Sequence, residues 1–345
     1  MVVNTFKDGK HFWGINNDEN MTIDAIIGNP PYQVMDGGGS NTSAVSIYNL
    51  FVDIARKIKP IYLSMIMPAR WYSGGKGLDG FRESMLSDKR IQRMVDYPNP
   101  KDCFPTANIS GGICYFLWNK NYLGNCEYTN VVNSERISST RQLYEYDVFV
   151  RYNKALPIIE KVLATSFESL MGIVSARNIY NLDSSVRGVN SRMQSSDVTV
   201  YSSRGTGYLP LSEIKSGINS INKHKVFMGK VLSGHIGETD ENGKVKVIAT
   251  IQTANPNDVC TDSYLVIGRF EKKEEAINLE KYIKTKTLRF LLLQSLTSMN
   301  ISRGNFRFVP LQDFTRSWTD EALYAKYSFT DEEIKYIESV IKPME

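Results

Sequence analysis

Histidine and clustered cysteine are what this chain most clearly lacks. Of 345 residues, three are His (His11, His224, His235) and four are Cys (Cys103, Cys114, Cys126, Cys260), with no Cys-x-x-Cys pair. A zinc site needs soft ligands close together, so no metal centre is expected. The same scatter predicts free thiols in a reducing cytoplasm rather than a disulfide framework. No basic segment followed by an apolar run opens the sequence, which argues against a signal peptide. The most apolar stretches, such as 61–68, are far too short to span a bilayer, so no membrane partner is expected. A dominant charge is absent too: 41 Lys plus Arg face 37 Asp plus Glu, a net charge of +4. That balance permits a nucleic-acid partner through a basic face without requiring one. Repeats and low-complexity tracts are also missing.

What remains is a chain long enough for two domains, each with its own core. Residues 23–27 read as a short buried strand, closed by Gly28 and two prolines. Residues 33–43, with Gly37-Gly38-Gly39, read as a loop. Helical spacing over 45–57 and 78–86 alternates with apolar runs at 61–67 and 91–95, the first of them a fully buried strand. That alternation predicts an α/β domain with a mostly parallel sheet. Residues 113–118 and 127–132 read as closing strands. Beyond a connecting helix at 155–164 the alternation stops. Strand-like runs follow at 198–202, 245–250 and 263–267, with a hairpin turn at Asp240-Glu241-Asn242-Gly243. One long helix is predicted over 278–295. Two helices end the chain, the last opened by Thr330-x-x-Glu333 at capping-box spacing.

The informative unit is Asp24-Ala25-Ile26-Ile27-Gly28-Asn29-Pro30-Pro31-Tyr32. With proline at about one residue in twenty, an Asn-Pro-Pro-aromatic string arises by chance in roughly one chain of this length per several hundred. A rigid turn alone would also use two prolines, since they fix the backbone and remove donors. The apolar run leading into the string favours a site, because ligands of open α/β sheets bind at the carboxyl ends of strands. The chemistry it suits is substitution at the exocyclic amine of adenine, whose lone pair is delocalised into the ring. Accepting both amine hydrogens favours a pyramidal nitrogen and frees that pair. Asn29 offers a side-chain carbonyl and Pro30 a backbone carbonyl. Consecutive prolines hold these two oxygens apart at a fixed distance, so little reorganises during reaction. Tyr32 supplies a flat ring for a base that has left the duplex stack.

This string resembles the catalytic loop of the amino-methylating DNA methyltransferases, and within them the adenine-specific group. Carried over, the resemblance puts the amine contacts on Asn29 and Pro30, the rigidity on Pro31 and the stacking on Tyr32. The same loop occurs in methyltransferases acting on RNA or on protein glutamine, so it does not choose the substrate unaided. Ser64-Met65-Ile66-Met67-Pro68-Ala69-Arg70-Trp71, with Gly74-Gly75-Lys76-Gly77 and Phe81-Arg82, is similar to the strand and loop that follow it in combined restriction–modification methylases of type IIG. Phe104-Pro105 and Ile109-Ser110-Gly111-Gly112-Ile113-Cys114-Tyr115-Phe116 resemble a later hairpin whose aromatic packs on the flipped base. That role falls on Phe104, with a core role as the alternative. The ending, from Asn305-Phe306-Arg307-Phe308 to Trp318-Thr319-Asp320-Glu321, is also similar. The resemblance implies part of a Rossmann-like methyltransferase sheet over 1–155, a mixed α+β target-recognition domain over 156–315 and a helical segment over 316–345.

It also implies S-adenosylmethionine as methyl donor and double-stranded DNA as substrate. Such enzymes hold the donor with a glycine-rich loop and an acidic residue, both upstream of the catalytic loop. Only 28 residues precede Asn29, too few for the two βα units those elements need. Gly37-Gly38-Gly39 follows the motif, with no strand leading into it. The expectation is a chain inactive by itself, its donor-binding half supplied elsewhere, in a system that can include a nuclease. The rival expectation is a non-catalytic DNA-binding module that keeps the loop as a relic. Candidate DNA contacts are Arg70, Lys76, Arg303, Asn305 and Arg307, followed by Arg177, Arg187, Arg192, Arg204, Lys223 and Lys225. Arginine can bridge two acceptors of guanine, whereas lysine mostly meets phosphate. For each, a solvated surface charge is the plain alternative.

Overall fold

The computed structural model describes residues 23–35, 44–75, 77–106, 109, 111–146, 148–165, 167–231, 244–296 and 300–344. Gly37-Gly38-Gly39, Lys76 and the expected turn at 240–243 lie outside them. The chain is mixed α/β and divides into two units, Met1–Asn153 and Lys154–Glu345. No described helix is long and apolar enough to cross a membrane.

The first unit is built on six strands: β1 (Ala25–Gly28), β4 (Tyr62–Pro68), β5 (Ile91–Tyr97), β6 (Ile113–Asn119), β7 (Cys126–Val132) and β8 (Glu135–Arg141). They lie in the order β1-β4-β6-β5-β7-β8. Only β1–β4 and β5–β7 are parallel; the other three pairings are antiparallel. A mostly parallel sheet is therefore not what forms. The reason is β6, which returns through a long connection and inserts between β4 and β5, making it a central strand rather than a closing one. Residues 33–35 are not loop either. They form β2 (Gln33–Met35), antiparallel to β3 (Ala44–Ser46).

Helices α1 (Tyr48–Ile58) and α2 (Asp79–Ser87) and the 3-10 turn Ala69–Ser73 pack on one face of the sheet. Their Tyr48, Val52, Trp71, Phe81 and Met85 meet Leu63, Met65 and Met67 of β4 and Phe116 and Trp118 of β6. Burial along β4 alternates, so the strand is covered on one side rather than on both. Among the described residues β1 is hydrogen-bonded to β4 alone and forms an edge of the sheet. Its Ile26 touches the core while Ile27, on the opposite face, is 83% exposed. The expectation of a buried strand fails at β1 because no further strand or helix among the described residues lies against it.

A polar network locks the far side of this unit. Arg151 donates two 2.8 Å bonds to the Asp96 carboxylate, whose side chain is fully buried. Asn130 donates to the same carboxylate at 3.2 Å and to the Arg151 carbonyl at 3.0 Å. The Arg151 guanidinium also lies over the Tyr72 ring, 5.4 Å from its centroid.

In the second unit, β9 (Val198–Ser202) pairs antiparallel with β10 (Gly205–Leu209) and parallel with β13 (Asp258–Cys260). β11 (His224–Gly229) lies between β12 (Ile251–Ala254) and β14 (Tyr264–Phe270). Val198, Val200, Leu209, Phe227 and Val266 join these sheets in one core. The strand expected at 245–250 is displaced: Val245 makes a single bridge to Ile341, and pairing resumes at β12. The long helix expected over 278–295 is two helices, Lys273–Lys284 and Lys286–Leu293. Thr285 breaks it by adopting an extended ψ of 149° and capping the Leu288 amide with its hydroxyl. The Asp320 carboxylate accepts the next amides, from Lys286 and Thr287 at 2.9 and 2.8 Å. The Thr330–Glu333 capping box forms as expected.

Removing Arg151 strands a fully buried carboxylate. Arg151→Met is expected to destabilise the protein by about 3–5 kcal/mol in a urea titration, and a loss below about 1 kcal/mol would show that Asp96 has other support.

Candidate active site

The motif sits where β1 stops. Gly28 ends the strand, Asn29 is exposed, Pro30 is buried and Pro31 is exposed. Two prolines cannot donate to a neighbouring strand, so pairing ends here and the chain turns off the sheet. The Tyr32 carbonyl then accepts the Ile47 amide at 3.2 Å. That bond continues the β2–β3 ladder by one residue, because Gln33 already pairs with Ser46. The Asn29–Tyr32 string is thus held by β1 on one side and by the residue before α1 on the other.

Beneath it lies an aromatic floor around Cys114. Trp71 donates its indole N–H to the Cys114 sulfur at 3.4 Å. Burial pushes the Cys114 thiol up to about 12, so it stays protonated and unreactive. Tyr48 is 1% exposed. Burial, then the neighbouring Cys114, raises its phenol, with Ser46 and Arg70 partly offsetting them. Tyr32 is half-buried, and its phenol is raised first by burial and then by Cys103 and Cys114. The ring therefore remains neutral throughout the physiological range.

The next candidate follows the carboxyl end of β5. Cys103 and the half-buried Phe104 follow the 3-10 turn Pro100–Asp102, which Asn99 caps by accepting the Lys101 amide. The Phe104 amide closes the turn onto the Pro100 carbonyl at 2.8 Å. The chain then returns through two glycines with positive φ. A Cβ on Gly112, at φ +85°, would lie 2.3 Å from the Tyr97 carbonyl and 2.8 Å from that of Pro98. The Gly112 carbonyl accepts the Ala69 amide at 2.9 Å, and a Cβ on Gly111 would lie 3.5 Å from the Arg70 Cα. Arg70 itself is exposed. Asn29 and Tyr32, Arg70, and the turn bearing Phe104 thus follow the carboxyl ends of β1, β4 and β5, which share one edge of the sheet.

Not every candidate belongs to a surface that could meet DNA. Asn305 is buried and fully engaged: its Oδ1 accepts the Ser302 amide and hydroxyl, and its Nδ2 donates to the Ser295 carbonyl at 2.7 Å. It builds the 3-10 turn Arg303–Phe308 rather than reading a base. Lys225 is also internal, its ammonium donating to the carbonyls of Ser220, Ile221, Lys223 and Asn255 at 3.0–3.3 Å. A basic side chain at the start of a strand looks the same in sequence whether it points in or out. Lys223 pairs with Glu271, and Arg177 clamps Asp262. Arg303 is exposed and donates to the Met171 carbonyl at 3.0 Å; Arg307 donates to that of Gly304 at 3.2 Å. Arg192 lies over the Tyr208 ring, and Arg204 is exposed at the tip of the β9–β10 hairpin.

Two contributors escaped the sequence reading, Tyr48 and Trp71. Both lie in segments where apolar spacing accounts for them, and no local signal marks their approach to the motif. A cleft of about 730 Å³ in this unit lies at the opposite end of the sheet among Asp53, Arg56, Asp88 and Arg90. It has no catalytic constellation.

Residues 2–104 match the model of the Eco57I restriction-modification methylase family. A protein described as an uncharacterized adenine-specific methylase, from Mycoplasma pneumoniae (strain ATCC 29342 / M129 / Subtype 1), is 38% identical over 128 residues. That match takes in 35% of this chain and 30% of the relative's length. Among solved structures, the type IIG restriction endonuclease BpuSI aligns over 92% of this chain and 53% of its own, at 12% identity and a TM-score of 0.37. The type IIL restriction-modification enzyme MmeI, solved in complex with DNA, aligns over 82% and 45%, at 9% identity and a TM-score of 0.35.

The tight return at Gly112 predicts that Gly112→Ala displaces the turn bearing Phe104. An alanine there is expected to lower stability by more than about 2 kcal/mol, from the positive φ together with the carbonyl clash. An unchanged melting curve would show that the loop can relax around a methyl group.

Proposed function

We propose that this chain is the catalytic-loop and target-recognition part of an adenine-specific DNA methyltransferase in a restriction–modification system. The observation that carries the reading is the placement of the Asn29 side chain. It is exposed at the carboxyl end of an edge strand, next to a buried proline and beside a half-buried tyrosine ring. The family match over 2–104 and the adenine-specific methylase relative support it.

In this reading an adenine leaves its duplex and enters between Tyr32 and the Phe104 turn. The Asn29 side-chain carbonyl and the Pro30 carbonyl accept the two amine hydrogens. Because Pro30 is buried and Tyr32 is tied to Ile47, both acceptors are in place before the base arrives. The lone pair is then directed away from them, toward the methyl donor. Tyr32 stays neutral, so it acts through its ring rather than as a base.

S-adenosylmethionine is the donor this chemistry implies. The described residues do not fit it: where β4 leads through Gly74 and Gly75 into α2, the 3-10 turn Ala69–Ser73 separates the strand from the glycines, and the passage follows the Asn29–Tyr32 string rather than preceding it. We therefore assign the donor site to polypeptide that completes the sheet. The edge of β1, unpaired among the described residues, and the exposed Ile27 and Tyr62, on the sheet face opposite the helices, are where further strands and helices would pack. That complement is a separate chain or another segment of a longer one. A non-catalytic DNA-binding role remains the second reading, favoured by the same absence.

Transfer of a labelled methyl group to duplex DNA, with and without a separately produced donor-binding half, separates the two. Activity is expected only in the mixture, at adenine. Asn29→Ala should lower it by at least about 100-fold, as removal of a single preorganised polar group does elsewhere. Tyr32→Phe should retain most activity and Tyr32→Ala should not. Efficient transfer by the chain alone would refute its incompleteness, and a mixture that binds DNA yet never transfers would favour the second reading.

A further inference from the structure

Between Val186 and Asp197 the second unit carries a loop whose construction the proposed activity has not yet used. Two glycines make it possible. Gly188 has φ +72°, and a Cβ there would lie 2.6 Å from the Tyr208 carbonyl. Gly207 faces it, and a Cβ at that position would lie 2.1 Å from the Arg187 carbonyl. With no side chain on either, the backbone of 187–189 crosses directly against β10. Val189 and Tyr208 then exchange two hydrogen bonds of 2.9 Å, so the segment docks as a further short strand.

The remainder of the loop is fastened as well. Asp197 is 3% exposed, and one of its oxygens accepts the amides of Met193 and Gln194 at 2.8 and 2.9 Å. Its own amide donates back to the Gln194 carbonyl at 3.1 Å. The Arg192 guanidinium lies over the Tyr208 ring, 5.3 Å from its centroid. Two backbone ties, a buried carboxylate and a cation–π contact therefore hold a loop whose residues 190–196 are all exposed. At its apex Met193 is 80% exposed, with Val189 at 46%.

What points to a partner is the fastening of a wholly exposed backbone segment, 190–196, which is pre-organised for docking and presents Met193 at its apex. The charge around it indicates which partner. Residues 184–196 contain Arg187 and Arg192 and no carboxylate. Arg204, at the exposed tip of the neighbouring β9–β10 hairpin, adds a third cation. Among the described residues no carboxylate lies within ion-pair distance of Arg192 or Arg204. Gln194 follows Met193 and Asn190 lies three residues before it, and their amides can each donate to and accept from one base edge.

We propose that the loop 189–196 is the element that reads sequence in duplex DNA. Met193 makes the apolar contact in the groove, Asn190 and Gln194 contact base edges, and Arg192 and Arg204 meet the flanking phosphates. Prior fastening lowers the entropy lost on docking. The inference rests on the DNA substrate proposed above, and it separates specificity (Met193, Asn190, Gln194) from affinity (Arg192, Arg204).

Selection of bound sequences from a randomised 25-base-pair duplex pool, followed by anisotropy titrations of the full chain at two salt concentrations, tests it. Wild type should enrich a defined sequence. Met193→Ala and Gln194→Ala should relax preference at one or two positions by roughly tenfold, with little change in affinity for unrelated DNA. Arg192→Ala and Arg204→Ala should weaken binding to every sequence and reduce the salt slope by about one each. Leu123→Ala, which removes an equally exposed apolar side chain from the first unit, should change nothing. An enriched sequence that is identical in wild type and in both the Met193 and Gln194 variants would overturn the assignment of the loop while leaving the DNA substrate intact. A wild-type chain with no affinity for duplex DNA would overturn the substrate itself.

Discussion

Everything at the proposed site depends on stopping one strand at one residue. β1 needs its ladder with β4 to be positioned at all, yet a ladder continued past Gly28 would consume the carbonyl of Pro30 and carry Asn29 into the sheet. Pro30 and Pro31 end it, and the hydrogen bond from Ile47 to the Tyr32 carbonyl recaptures the chain four residues later. Between those two anchors lie the acceptors and the ring. The aromatic floor, the capped turn at Asn99 and the close return at Gly112 are arranged around that short interval.

The two units fasten their exposed loops with the same device. At Gly112 and again at Gly188 and Gly207, the absence of a side chain lets one backbone lie against another at a distance no other residue allows. Each contact is followed by ordinary backbone hydrogen bonds, and each leaves a neighbouring loop exposed but fixed. Rigidity here comes from local backbone geometry and does not require the loop to contribute to a core. Met193 is therefore free to face outward.

Much of this was legible in the sequence, and the failures have particular causes. Strands and helices with strong apolar spacing fell where expected, as at 48–58, 79–87 and 198–202. The backbone turn at the motif was legible because consecutive prolines after a strand constrain the backbone wherever they occur. Strand order was not legible, because the insertion of β6 between β4 and β5 depends on a long connection with no periodic signal. Nor was the break at Thr285, since a threonine in a helical pattern shows its capping role only when the following amides find Asp320. Asn305 and Lys225 misled for a related reason. Residue type indicates what a side chain can bond to, and the surrounding fold decides whether its bonds are spent inside.

The four thiols differ in a way that bears on handling the molecule. Cys114, Cys126 and Cys260 are buried, and burial raises each of them, whereas Cys103 is the least enclosed of the set. It is also the neighbour of Phe104, on the turn proposed to receive the base. An alkylating reagent or an oxidant consequently meets the protein first at that turn. A bulky adduct there would obstruct the proposed base site while the hydrophobic interior stayed untouched.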